Sequence, residues 1–492
     1  MAGYIVGVDV GSQSVKVVLC SPEGEEIATA ACPCAMHYPA SGWAEQSPLE
    51  WEVGIATAVR RAVAEAGVAP SDITHLGLAC QVDGVVPVDG RLRPLRPAII
   101  WLDRRATAQA RSLEERLGAE RIFAISGLNC DASHIAPKLM WLRDMDPHTY
   151  RQAHLLPPVA GYLTGWLTGA AAQDHANASS TLLYDIRSRR WSSALLEATG
   201  IDPALLAPIV PAHATLGRLT PAAADALGLT ERCAVVAGTG DDHAAALGAG
   251  VALPGVVVDV AGTAEPVGAV AAEPVFDPER LVETHAHAVD GMLFLENPGF
   301  VSGGSTAWLA RVLGAEQERV FAWAAEAPPG ADGVLFVPAL SGATAPRWDD
   351  RMRGAFQGLA MNHDRAHLCR AVLEGCAFAL RDIVDRLSDL GLAGPEIRVV
   401  GGGSRSALWM QIKADVTGYP TGRVLSSEPT ALGAAMLAAV GAGVFGDAAE
   451  AAAAMVRLAD HRYEPDQACR DLYREAYLRY RSLFDALQGV AG

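Results

Sequence analysis

A short motif that ends a strand with an aspartate occurs twice in this sequence, once in each half of the chain. One apolar segment runs into Asp9-Val10-Gly11-Ser12-Gln13, and another runs into Asp259-Val260-Ala261-Gly262-Thr263. Each motif combines an Asp, an aliphatic residue and a small turn that carries a hydroxyl group. The repeat predicts two similar domains that face one another. The length of 492 residues agrees with this, because one hydrophobic core seldom serves so long a chain.

The pattern around these motifs is typical of an α/β protein. Apolar and β-branched segments predict strands in the first half at residues 4–9, 15–20, 27–31, 76–80 and 97–101, and the strand pattern restarts near residue 234. A helix is predicted to begin after Ser47, which forms the S-x-x-E pattern of a capping box with Glu50. We place the domain boundary so that one domain spans residues 1–244 and the other spans residues 245–492.

Charge and cysteine usage exclude several classes of partner. Asp and Glu number 56 against 39 Lys and Arg, a formal charge of -17, which repels nucleic-acid phosphates and anionic membranes. No apolar run reaches the ~20 residues of a membrane span, and we expect no leader ahead of the first strand. The nine cysteines lack the spacing of a zinc site. We therefore expect reduced thiols and a cytoplasmic protein that binds neither nucleic acid nor membrane.

Four segments, in this order, resemble the FGGY family of carbohydrate kinases and are most similar to its xylulokinases. The first is Gly-Val-Asp-Val-Gly-Ser-Gln-Ser-Val-Lys at residues 7–16, and the second is Ala-Pro-Lys-Leu-Met-Trp-Leu at residues 136–142. The third runs from Gly354 to Gly375, and the fourth is Gly401-Gly402-Gly403-Ser404-Arg405-Ser406. Together they span most of the chain.

The resemblance implies an actin-like ATPase fold, in which two ribonuclease-H-like domains of the α/β class close over an interdomain active-site cleft. It also implies an ATP-dependent kinase that phosphorylates a hydroxyl of a neutral sugar, a ketose such as D-xylulose, with Mg²⁺ as a cofactor. Family members often form homodimers, so a second copy of the chain is an expected partner beside the small-molecule substrate.

By the same resemblance, two small turns and a glycine-rich turn contact ATP. Backbone N–H groups in such turns can approach phosphate oxygens closely. The ATP-binding residues implied are Ser12, Gln13, Ser14, Lys16, Gly262, Thr263, Gly402, Gly403, Ser404 and Ser406. Taken singly, each turn could equally be a plain hairpin, and Lys16 could equally be a solvated strand residue.

Two aspartates are implied to carry the chemistry. Asp9 would face the magnesium-bound phosphates, since hard cations prefer carboxylate oxygens; its alternative role is to cap the strand end. Asp241 follows Gly238-Thr239-Gly240 and would be the catalytic base that accepts the proton of the attacking hydroxyl. Its alternative role is the N-cap of a helix that begins at His243.

The implied sugar-binding residues depart from the xylulokinase pattern. They are Gln81, Val82, Asp83, Asp241 and Asp242. Xylulokinases usually have Met-His at the positions of Val82-Asp83 and Asn at the position of Asp242, while Pro346-Arg347-Trp348-Asp349 is more similar to glycerol kinases. The substrate could therefore be another polyol, similar to glycerol or erythritol. Asp83 could also simply cap its turn and point to solvent, and the whole chain could be an ATPase switch of the same fold.

Overall fold

The computed structural model describes residues 3–490, which form two mixed β-sheets with helices packed around them. The strands are β1 (Tyr4–Val10), β2 (Ser14–Cys20), β3 (Glu26–Pro33), β4 (Glu45–Gln46), β5 (Ile73–Cys80), β6 (Ala98–Ile99), β7 (Gln173–Asp174), β8 (Tyr184–Asp185), β9 (Arg190–Trp191), β10 (Ile209–Val210), β11 (Thr215–Arg218), β12 (Ala234–Val236), β13 (Thr239–Gly240), β14 (Val257–Val260), β15 (Ala264–Ala271), β16 (Glu283–Ala286), β17 (Leu293–Val301), β18 (Leu335–Val337), β19 (Ala355–Gln357), β20 (Ile397–Val400), β21 (Thr421–Val424) and β22 (Leu458–Tyr463).

The helices fill the connections between these strands. They are α1 (Pro48–Ala66), α2 (Thr107–Leu117), α3 (Ala119–Ser126), α4 (Ile135–Met145), α5 (Pro147–Gln152), α6 (Val159–Thr168), α7 (His175–Ser180), α8 (Ser193–Thr199), α9 (Pro221–Leu227), α10 (Asp241–Gly248), α11 (Gly303–Val312), α12 (Gln317–Ala324), α13 (Arg365–Asp389), α14 (Ala407–Thr417), α15 (Pro429–Gly441), α16 (Ala448–Met455) and α17 (Arg470–Val490). Short 3-10 turns lie at Pro70–Asp72, Pro203–Leu205, Ala331–Gly333 and Gly402–Arg405. No helix within residues 3–490 is both long enough and apolar enough to cross a bilayer.

The two large sheets share one topology. The first has the order β11-β12-β5-β1-β2-β3, with β13 also paired to β5, and the second has the order β16-β17-β15-β14-β20-β21-β22. In each, a central strand pairs with an antiparallel hairpin partner on one side and a parallel strand on the other, β1 with β2 and β5, and β14 with β15 and β20. Asp9 and Asp259 lie on these two central strands. The repeat seen in the sequence is thus a repeat of the fold, and the predicted α/β class with two sheet-containing domains is confirmed.

Helix α15, from the second half of the chain, packs on the first sheet at backbone distance. A Cβ atom added to Gly7 of β1 would lie 1.9 Å from the carbonyl oxygen of Ala431, and one added to Gly77 of β5 would lie 2.1 Å from that of Ala434. A Cβ on Gly433 of α15 would lie 2.0 Å from the carbonyl oxygen of Ala244 in α10. Glycine is therefore required on both sides of this contact.

Two local predictions from the sequence need correction. Helix α1 begins at Pro48 as expected, but the Ser47 side chain makes no capping hydrogen bond, so the capping box does not form. The strand expected over residues 97–101 is only Ala98–Ile99, because its partner strand β4 offers just two residues, Glu45–Gln46, for pairing. Apolar patterning indicated a buried segment there but could not show how short its partner is.

We predict that Gly433→Ala destabilises the protein by about 1–3 kcal/mol, the range typical of overpacking, because the new methyl group meets the backbone of α10 and not a movable side chain. Gly90→Ala is the matched control, since a Cβ at Gly90 meets nothing within 4 Å. Thermal unfolding of the purified variants measures the effect. A midpoint for Gly433→Ala as high as that of Gly90→Ala would contradict this packing.

Candidate active site

Three parallel strands of the first sheet end at one edge, and each delivers a polar residue there. β1 and β5 run in parallel register from Tyr4 to Val10, and β13 continues the ladder beside the end of β5. Asp9 is next to last in β1, the segment Gln81–Gly84 follows β5, and Asp241 follows β13. Ligands in open α/β sheets bind outside the carboxyl ends of such strands. The fold therefore gathers the residues that the sequence singled out for the sugar and the base.

Asp241 is the first residue of α10, and Gly240 occupies the cap position without a side-chain cap. The prediction that a helix might begin at His243 with Asp241 as its cap is thus wrong by two residues. The Asp241 carboxylate accepts a backbone hydrogen bond from Asp242 at 3.2 Å and is partly buried. That hydrogen bond lies within the first turn of α10, while Gly240 holds the cap position.

The carboxylates at this edge raise one another's pKa. Burial, followed by the charges of Asp242 and Asp9, raises the pKa of Asp241 well above its usual value. Burial and then Asp83 raise the pKa of Asp242 to about 6. Burial raises the pKa of Asp9 to about 7, although Lys16 opposes the shift. Groups coupled in this way titrate as a cluster, and perturbed pKa values of this kind concentrate at active sites.

Asp83 is held by two cations that the sequence analysis did not assign to the site. It adopts a left-handed backbone conformation, with φ of 60°, which Asp tolerates. Its Oδ2 lies 3.2 Å from Nδ1 of His134, and Lys138 Nζ donates to its carbonyl oxygen at 2.5 Å. The side chain is buried, so the alternative that Asp83 points to solvent is wrong.

Burial disfavours the charged form of both side chains, but their net pKa shifts are opposite. Burial disfavours the charged imidazole of His134, but the Asp83 carboxylate outweighs it and raises the pKa of His134 to about 9. Burial lowers the pKa of Lys138 to about 8 despite the nearby aspartates. Lys138 lies in the second family segment, residues 136–142, so the sequence did point to this lysine. His134 just precedes that segment and carried no signal of its own.

The glutamine Gln46 connects the turn at residues 11–14 with the segment Gln81–Gly84. Gln46 Nε2 donates to the carbonyl oxygen of Ser12 at 2.8 Å, and its Oε1 accepts from Gln81 Nε2 at 2.7 Å. Within the same turn the Gly11 N–H donates to the carbonyl of Ser14 at 3.1 Å, while Gln13 is exposed. Val82 packs against Gly240, where an added Cβ would lie 2.5 Å from its Cγ1 atom.

Lys16 lies opposite Asp9 in the β1–β2 register, and its Nζ is 2.9 Å from Oε2 of Glu428 at the start of α15. Burial lowers its pKa, but Asp9 and Glu428 prevail and the pKa of Lys16 is raised. Lys16 therefore forms an ion pair with an acidic residue from the second half of the chain, while its side chain stays 39% exposed.

The residues expected to contact ATP from the second half lie on two adjoining turns. Gly262 and Thr263 connect β14 to β15, and the N–H of Gly403 donates to the carbonyl of neighbouring Ala261 at 3.0 Å. Thr263 and Gly402 are exposed on these turns. The two expected serines make local hydrogen bonds. The Ser404 hydroxyl donates to the Gly401 carbonyl oxygen at 2.7 Å, and the Ser406 hydroxyl accepts from the Trp409 N–H at 3.2 Å.

Comparisons with known proteins agree with this architecture. Residues 4–248 match the N-terminal domain of the FGGY family of carbohydrate kinases, and residues 257–442 match its C-terminal domain. The chain is 27% identical to the xylulose kinase of Bacillus subtilis over 99% of both chains, and 34% identical to the glycerol kinase of Citrifermentans bemidjiense over 94% of both.

Solved structures give the same result. The crystal structure of xylulose kinase from Rhodospirillum rubrum superposes with a TM-score of 0.90 and 29% identity, over 99% of each chain. The chain therefore belongs to the FGGY family of carbohydrate kinases and is an ATP-dependent sugar kinase.

Proposed function

We propose that this kinase transfers a phosphoryl group from ATP to a hydroxyl of a neutral sugar or polyol, with Asp241 as general base. The observation that carries the proposal is the placement of Asp241 at the sheet edge, in the first turn of α10 and beside Asp9 and Asp242. A base must be unprotonated to act and basic enough to take a hydroxyl proton. The raised pKa of Asp241 supplies that basicity.

The rest of the mechanism is positioning, since phosphoryl transfer needs little covalent help from the protein. We assign the sugar and the first phosphate turn, residues 11–14, to residues 1–244, where Gln81, Val82, Asp83 and Asp242 would bind the sugar beside Asp241. We assign the nucleotide to residues 245–492, where Gly262, Thr263, Gly402 and Gly403 would approach ATP through their backbone. From residues 1–244, Lys16 would neutralise phosphate charge beside Ser12, Gln13 and Ser14. Ser404 and Ser406 then act by shaping the adenosine turn.

Asp9 fits a magnesium ion that accompanies ATP. It is a carboxylate at a strand end, adjacent to the first phosphate turn, and it offers the oxygen ligand that Mg²⁺ prefers. Bound there, Mg²⁺ would supply neutralisation of the phosphate charge. Asp9 would hold the ion, directly or through its waters.

For the acceptor we propose a neutral ketose such as D-xylulose, with a smaller polyol similar to glycerol as the second candidate. Relatives named xylulose kinase and glycerol kinase both match the chain over most of its length. Carboxylates accept hydrogen bonds from sugar hydroxyls at favourable strength. Because His134 and Lys138 are already engaged with Asp83, the site keeps an excess of carboxylates that disfavours anionic acceptors.

We further propose a cytoplasmic protein. All nine cysteines are free, and five of them are buried, which suits a reducing compartment. A second copy of the chain remains the expected partner, as the family resemblance implies.

The first prediction concerns the base. Asp241→Asn should lower sugar phosphorylation by about 10²–10⁴-fold, the usual contribution of a general base, while ATP affinity is largely kept. Asp72→Asn is the matched control, because Asp72 is exposed at the start of β5, away from the edge that carries Asp241. Steady-state rates and equilibrium ATP binding measure the two effects. Turnover of Asp241→Asn within a few-fold of the control would refute the assignment.

The second prediction concerns the acceptor. A screen of ketoses, polyols, aldonates and sugar phosphates, with ADP release as the readout, should show the greatest stimulation by a neutral ketose or polyol. Like charges repel strongly where water is scarce, so anionic acceptors should be poor. A best acceptor that is an aldonate would overturn this account of the pocket and leave the kinase activity itself intact.

A further inference from the structure

Behind the active-site edge lies a buried cluster of two histidines and a glutamate from three different elements. His243 lies on α10, His285 on β16 and Glu296 on β17. One nitrogen or oxygen atom from each lies within 4.8 Å of those of the other two. All three side chains are buried, with His243 only 1% exposed. The family resemblance gave His243 no role.

His243 has an unusual lack of partners for a buried polar ring. Neither of its ring nitrogens has a hydrogen-bond partner among residues 3–490. The ring is surrounded by His285, His287 and Phe294, with centroid distances of 5.6, 5.9 and 5.4 Å. A buried polar group without a partner is unfavourable for folding. In native proteins such a group calls for an explanation, and a bound water or ion is one of them.

We propose that His243, His285 and Glu296 bind one divalent transition-metal ion, most suitably Zn²⁺. Two imidazoles and a carboxylate form a known zinc ligand set that leaves one coordination position open. Zinc–ligand distances of ~2.0–2.2 Å place two ligand atoms about 3.3 Å apart. His285 Nε2 is already 3.6 Å from Glu296 Oε1. The ligand atom of His243 lies no more than 4.8 Å from the other two. It must therefore approach them by at most about 1.5 Å to reach the spacing of zinc ligands, which side-chain rotation allows.

The protonation of the cluster suits this role. Burial lowers the pKa of His243 well below its usual value and that of His285 to about 4, so both rings are neutral and can donate a lone pair. Burial, followed by the charge of Asp242, raises the pKa of Glu296 well above normal. Because a metal ligand must be deprotonated, metal binding would favour the carboxylate form of Glu296 and balance its charge.

This site is distinct from the magnesium position proposed for ATP. Mg²⁺ prefers oxygen ligands in octahedral geometry, whereas imidazoles favour zinc and its neighbours. The ion would connect α10 with two strands of the second sheet. Because α10 begins with Asp241, the metal would fix the helix that carries the proposed base. The metal site itself stands on the geometry of the cluster and does not depend on that assignment.

The test uses the full-length protein and Zn²⁺ itself. After dialysis against a chelator, titration against a chromogenic zinc indicator should show one tightly bound Zn²⁺ per chain. Loss of an outer-shell partner typically lowers metal affinity by about 10–100-fold, so removing a ligand in Glu296→Gln or His243→Gln should lower it by at least about 100-fold. His287→Gln is the matched control, because Nε2 of that buried histidine already faces the Val251 carbonyl at 3.3 Å.

Two measurements on the unaltered chain guard against variants that fail to fold. Saturating Zn²⁺ should raise the thermal midpoint of the wild-type protein, because a ligand that binds only the folded state stabilises it. Anomalous scattering at the zinc edge should place the ion between His243, His285 and Glu296. The proposal fails if wild-type protein binds no stoichiometric zinc, if the ligand variants bind as tightly as His287→Gln, or if the anomalous peak lies elsewhere.

Discussion

The contact of helix α15 with the first sheet is the constraint on which the site depends. Backbone meets backbone there, and the glycines at positions 7, 77 and 433 leave no side chain that could yield. The helix therefore fixes β1, β5 and α10 relative to one another. These elements position Asp9, the segment Gln81–Gly84 and Asp241. Packed interiors adjust in discrete steps and not continuously, so a shift of α15 would move all three functional groups at once.

The same arrangement brings several carboxylates together, and nearby cations compensate their charge only in part. Three carboxylates, Asp9, Asp241 and Asp242, meet at one sheet edge, where burial raises the pKa of each and the charge of Asp242 adds to the shifts of the other two. Lys16 faces Asp9 and His134 faces Asp83, but neither pairs directly with Asp241. A partly buried carboxylate without a neighbouring cation lowers the stability of the fold, but its raised pKa suits a general base. Active sites commonly retain such conflicts because function needs them.

The sequence predicted much of this fold and part of the site. Strands β1 and β2 follow their apolar patterns closely, and the echo between Asp9 and Asp259 indicated two related sheets. Local patterns report local structure, so the pairing of Asp83 with His134, 51 positions away, carried no signal. The cluster of His243, His285 and Glu296 was invisible for the same reason. At Ser47 a local pattern was only half right. The helix begins where it was predicted, after Ser47, but the predicted capping box does not form.

The pH dependence of kcat/KM for the best acceptor, in wild type and Asp242→Asn, tests the role of Asp241 most directly. A general base must be deprotonated, so activity should fall on the acid side with an apparent pKa well above the ~4 of an ordinary carboxylate. Removing the neighbouring charge of Asp242 lowers the pKa of Asp241, and the acid limb should move to lower pH in Asp242→Asn. An acid limb at an ordinary carboxylate pKa, or one that Asp242→Asn leaves in place, would contradict the account.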